Sequence, residues 1–76
     1  MRIIPLSDLE INTVAVVRAY AKTTPYLYRL KELGLTEGVK VIMEYASFFN
    51  STVCLRFRGS RFLLRRNLLQ NVTVEI

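Results

Sequence analysis

The side chains that could do chemistry are few, and each lacks the companion its chemistry needs. Ser7, Ser47, Ser51, Ser60 and Cys54 are the candidate nucleophiles, yet the chain contains no histidine to activate a hydroxyl or a thiol. The acids Asp8, Glu10, Glu32, Glu37, Glu44 and Glu75 are scattered over separate segments, and only Asp8 and Glu10 lie close together, in a turn. No acid–base pair results, so no catalytic residue is expected and the chain reads as a non-enzyme. A lone thiol without an imidazole does not furnish a transition-metal site, so no metal ligand and no cofactor are expected. Cys54 beside Arg65 could be activated, but an inert strand residue is the simpler reading. Gly34, Gly38 and Gly59 match neither phosphate-loop spacing and read as turn residues.

What remains is basic. The chain carries a net charge of +5, and Arg56, Arg58, Arg61, Arg65 and Arg66 fall in a stretch that holds no acid. An anionic partner suits such a balance. Val53, Leu55 and Phe57, then Phe62 and Leu64, recur at period two, which turns the intervening arginines outward. Gly59-Ser60 suits a type II′ hairpin turn, which sets Arg58 opposite Arg61 and Cys54 opposite Arg65. Like charges directly opposite cost a few tenths to about 1 kcal/mol, so this face is expected to meet an anionic partner. A merely solvated polar face is the plain alternative. Phe48 and Phe49, at the tip of the preceding loop, are either interface anchors or a plug for the end of a barrel. The candidate partner-binding residues are therefore Arg56, Arg58, Arg61, Arg65, Phe48 and Phe49.

The elements that would position them are legible in outline. Pro5-Leu6-Ser7-Asp8-Leu9 reads as a short turn that Ser7 or Asp8 can cap, and Asn12 suits a left-handed turn position. Val14, Val16 and Val17 argue for a strand over 13–20, with a bulge where the alternation falters. Thr24 and Pro25 open a helix as N-cap and first helical residue; Leu27, Leu30 and Leu33 give its apolar stripe and Gly34 its stop. After the Thr36-Glu37-Gly38 turn, Val39, Val41, Met43 and Tyr45 alternate as inward residues. Asn67–Gln70 gives about one helical turn, and Val72, Val74 and Ile76 a last strand. The sum is a mainly β fold of about five strands with one inserted short helix, a small closed barrel.

The 76 residues suffice for a single domain, 1–76, with a thin core. The N-terminus lacks a signal-peptide pattern, and no uncharged apolar run approaches the ~20 residues that span a bilayer. No membrane span and a cytoplasmic location are expected.

Leu30-Lys31-Glu32-Leu33-Gly34-Leu35-Thr36-Glu37-Gly38 resembles the L-x-x-L-G-L-x-x-G core of FeoA proteins. Gly59-Ser60-Arg61-Phe62-Leu63-Leu64-Arg65 resembles their G-x-x-x-x-L-R hairpin, and Pro5-Leu6-Ser7-Asp8-Leu9 their P-L-S-x-L opening. The chain departs from the family pattern at Ile11-Asn12, at Leu27, where a basic residue is common, at Glu37, and in the loop Phe48-Phe49-Asn50-Ser51. The resemblance implies an SH3-like barrel that assists FeoB, a membrane ferrous-iron transporter with a cytosolic G domain. The implied partner is thus the cytosolic part of a FeoB-type transporter, and the implied role accessory or regulatory. The alternative is a small basic barrel that binds nucleic acid. It is disfavoured because Phe57 and Phe62 alternate inward and leave little on the outer face for bases to stack on.

Overall fold

The computed structural model describes residues 2–47 and 51–76; Phe48 and Phe49 lie outside the described residues. Strands β1 (Ile3–Pro5), β2 (Val14–Tyr20), β3 (Lys40–Ala46), β4 (Thr52–Phe57), β5 (Ser60–Arg65) and β6 (Val72–Glu75) form one antiparallel sheet in the order β1-β6-β2-β3-β4-β5. One strand exceeds the sequence expectation. Ile3–Pro5 is too short to show a period, and pairs with β6 at the sheet's end. Two 3-10 helices, Leu6–Asp8 and Arg66–Leu69, pack together where the sheet curls round. Arg66 joins the same region by donating from Nη1 to the Ser7 carbonyl at 2.6 Å. The first of these helices has no side-chain cap.

The helix α1 (Pro25–Glu32) is built as its sequence dictates. Thr24 Oγ1 accepts from the Leu27 N–H at 3.2 Å, and Pro25 follows at the first helical position. At the other end the Leu35 N–H reaches the Leu30 carbonyl and the Gly34 N–H the Lys31 carbonyl, both at 3.0 Å. This pair of bonds is a Schellman motif, and it requires the positive φ of +111° that Gly34 adopts. Leu35 is wholly buried by it. The Tyr20 hydroxyl then donates to the Leu35 carbonyl at 2.5 Å, tying β2 to the helix exit. The stripe expected on α1 is narrower than read: Leu27 and Leu30 are buried, but Leu33 is 46% exposed, because it sits in the last turn where the chain has already begun to reverse.

The core joins Leu6, Leu9, Val17, Leu27, Leu30, Leu35, Val41, Met43, Val53, Leu55, Phe57, Leu69, Val72 and Val74. Phe62 stacks on Phe57 with ring centroids 4.8 Å apart, and Leu64 is half-buried at the margin. The bulge expected in β2 falls between Val17 and Ala19, which turns Arg18 out to Glu75 at 3.2 Å. Asn12 has φ +65°, the left-handed turn its position calls for. A second irregularity, between Met43 and Tyr45, had no sequence signal: it flips the phase of β3, so Tyr45 is 54% exposed instead of inward.

Leu55→Ala is expected to cost about 2–5 kcal/mol, since Leu55 is fully buried at the centre of the sheet; Leu33→Ser should stay within roughly 0.5 kcal/mol. Urea melts of the two variants check both. Burial raises the Tyr20 phenol to about 12. A proton held more tightly in the folded state stabilises it below the unfolded pKa of about 10 and ceases to as pH rises through the folded value. The stability advantage of the parent over Tyr20→Phe should therefore be full at neutral pH and vanish between pH 10 and about 12, as read by melts across that range.

Candidate functional site

The hairpin β4–β5 carries four of the expected site residues, and its register is one step away from the sequence reading. Phe57 pairs with Ser60, so the turn residues are Arg58 and Gly59. Both have positive φ, +51° and +80°. That is the type I′ geometry whose twist matches the strands, and it displaces the type II′ turn at Gly59-Ser60. Every cross-strand pair shifts with it: Arg56 faces Arg61, Cys54 faces Leu63, and Thr52 faces Arg65.

Arg58 is consequently removed from the outward row. Its side chain lies over Gly34, where an added Cβ would overlap Arg58 Cδ. The glycine that closes the helix thus also makes room for the arginine of the hairpin turn. Arg58 is exposed, but at the turn end of the face.

The outer face of β3, β4 and β5 is ordered in rows. One row runs Val14, Ile42, Arg56, Arg61 and the next Tyr45, Cys54, Leu63, followed by Thr52 and Arg65. Val14, Tyr45 and Leu63 are 55%, 54% and 66% exposed, whereas Cys54 beneath them is buried. Opposed Arg56 and Arg61 do not simply repel each other, because Glu44 stands between them. Its Oε1 lies 2.6 Å from Arg61 Nε and its Oε2 3.5 Å from Arg56 Nε. Glu44 stands on the outer face by the alternation that turns Val41 and Met43 inward, and the irregularity after Met43 adds exposed Tyr45 to the same face. The Arg61 guanidinium is held still more firmly protonated by that hydrogen bond. The Tyr45 phenol is pushed up, first by its hydrogen bond with Cys54 and then by the nearby thiol. Sequence reasoning gave Glu44 no role and turned Tyr45 inward; the strand register reveals the first and the bulge the second. Among the described residues, no three His, Cys, Asp or Glu side chains converge as a metal site would need, and no helix is long and apolar enough to cross a membrane.

A curled antiparallel sheet with one inserted helix and short 3-10 links makes this an SH3-like barrel. The chain belongs to the FeoA domain family, whose model matches residues 4–76. It is similar to the crystal structure of Stenotrophomonas maltophilia FeoA complexed with zinc: identity is 28%, TM-score 0.84, and 95% of this chain and 89% of that one are covered. That protein is described as a prokaryotic SH3-domain protein and a candidate activating factor of ferrous iron transport. The solution structure of Chlorobium tepidum FeoA is 27% identical, with TM-score 0.87 over 96% of this chain and 70% of that one. A FeoA-like protein of Clostridium acetobutylicum shares the fold at 21% identity and TM-score 0.88, covering 100% of this chain and 88% of its own. No match is found among curated protein sequences.

Glu44→Gln should lower the urea midpoint, because two opposed arginines lose the carboxylate between them. The loss should shrink in high salt and be partly recovered by adding Arg56→Ala. Equal midpoints for parent and Glu44→Gln at low salt would remove Glu44 from this role.

Proposed function

We propose that this chain is a non-enzymatic, cytosolic accessory of ferrous-iron uptake that docks on the cytosolic part of a FeoB-type transporter. Membership of the FeoA family supports the link to iron transport. The observation that carries the docking surface is the row of outward arginines. Arg56 and Arg61 share one carboxylate, and Arg65 stands two rows further along, beyond exposed Leu63. Each guanidinium can grip a carboxylate of the partner through two hydrogen bonds. Arg58 extends the surface at the turn end, and Phe48 and Phe49 are proposed as its apolar anchors on sequence grounds. The iron itself is the transporter's cargo, and no metal step is assigned to this chain.

One observation favours a second reading. Tyr45 is exposed on the same face as Arg61, which supplies an aromatic platform next to cations, the combination that single-stranded nucleic acid uses. Among the described residues the platform is a single ring, and the exposed side chains that share its face, Leu63 and Val14, are aliphatic. A carboxylate-bearing protein surface fits that mixture better than a run of stacked bases.

Arg56→Gln combined with Arg61→Gln should leave the fold intact, since both side chains are exposed and no carboxylate is added beside Glu44, and should weaken binding to the transporter's cytosolic domain by about tenfold or more. Added salt should weaken the parent complex as well. Titration of parent and variant against that domain and against a single-stranded oligonucleotide checks this. Undiminished binding of the variant to the domain would overturn the surface. Loss confined to the oligonucleotide would transfer the function to the second reading.

A further inference from the structure

The hairpin register has a consequence for the backbone as well as for the side chains. In an antiparallel ladder, residues alternate between those that exchange hydrogen bonds with the neighbour and those whose N–H and C=O point away from it. The phase is fixed here by the two-residue turn, which makes Phe57–Ser60 a bonded pair. It is fixed again at the far end by the Arg66 N–H donating to the Ser51 carbonyl at 3.0 Å. Ser60, Phe62 and Leu64 therefore bond to β4, while Arg61, Leu63 and Arg65 turn their backbone groups to the outside. Among the described residues, no strand pairs with β5 on that side. Tyr26 of α1 lies towards the Arg65 end: its phenol is raised by burial and drawn partly back by the Arg65 backbone and guanidinium. The open stretch is the N–H and C=O of Arg61 and of Leu63.

Resting on the docking reading above, we infer that this edge takes up an extended segment of the partner as an added antiparallel strand, with the pattern acid–x–apolar–x–acid. The pattern follows from the face on which Arg61, Leu63 and Arg65 stand. Residues of an added strand opposite them put their side chains on that same face. An apolar residue opposite Leu63 covers a side chain 66% exposed and borders the Cys54–Tyr45 row. The acids fall opposite Arg61 and Arg65. Glu44 engages Arg61 through Nε alone, which leaves the terminal Nη donors for a second carboxylate. Backbone hydrogen bonds supply the affinity and the alternating side chains the selectivity.

A second copy of this chain fits badly. Antiparallel self-pairing with the fullest overlap centres on Leu63 and sets each Arg61 against the other copy's Arg65. The occupant is a heterologous acidic strand.

The test has two arms. In the first, the full chain labelled with nitrogen-15 is titrated with the capped peptide Glu-Thr-Ile-Thr-Glu. Expected are shifts centred on Arg61 and Leu63 and slowing of their amide exchange by about tenfold. The Lys-Thr-Ile-Thr-Lys peptide, or the glutamate peptide N-methylated at alternate residues along its pairing edge, should not bind. Shifts absent at millimolar peptide, or equal with the N-methylated one, would overturn the proposal, as would a dimer of the free chain that protects the same amides. In the second arm, Leu63→Pro and Leu63→Ala are titrated against the transporter's cytosolic domain. Proline removes only an outward N–H, which an edge strand tolerates, so its loss of affinity beyond that of alanine, about tenfold, reports the backbone pairing. Equal affinities of the two variants would overturn strand addition and leave side-chain docking standing. No binding by the parent would end the docking reading, and the peptide arm would still decide the edge.

Discussion

The arrangement of the outer face depends on one backbone constraint, the left-handed conformation of Arg58 and Gly59. A non-glycine residue at positive φ is uncommon, costing roughly 1–2 kcal/mol, and Arg58 is held there by the hairpin's need for a type I′ twist. Its side chain packs over Gly34, the residue that stops the helix. Helix end and hairpin turn therefore form one unit, in which a side chain at Gly34 would be strained by its own φ and would collide with Arg58. From that turn the register follows, and from the register both the row of opposed arginines and the direction of the free backbone groups.

A second irregularity makes the face chemically useful. The bulge between Met43 and Tyr45 puts Tyr45 beside Cys54, on the face where Glu44 meets the two arginines. Without it, regular alternation would send Tyr45 inward and set Glu44 directly opposite Cys54. Exposed ion pairs contribute at most about 1 kcal/mol to stability, felt here because two opposed arginines share the carboxylate. The value of this one is positional, since it keeps two guanidinium groups aligned while leaving donors for a partner. Cationic and apolar rows side by side meet the requirements of a protein-docking surface.

The sequence carried most of the architecture because its signals were local. Thr24-Pro25, Gly34-Leu35, Asn12 and Gly38 name their own caps and turns, and Val53, Leu55 and Phe57 name their face. What stayed hidden depended on a single residue's slip. Gly59 serves equally as the first residue of one turn type and the second of another, and the choice decides whether Arg56 or Arg58 faces Arg61. The β3 bulge has no glycine to mark it, so Glu44 and Tyr45 read as ordinary members of an alternating strand. Leu33 kept the helical spacing but sits where the helix is already ending.

The register of β4 and β5 is the claim on which the account of the face stands, and cross-strand proton contacts read it directly. In an antiparallel pair the Hα atoms approach closely only at the non-hydrogen-bonded positions. A nuclear Overhauser spectrum of the chain should show Hα–Hα contacts between Arg56 and Arg61 and between Cys54 and Leu63. Contacts between Phe57 and Phe62 and between Leu55 and Leu64 instead would place the turn at Gly59-Ser60 and contradict it.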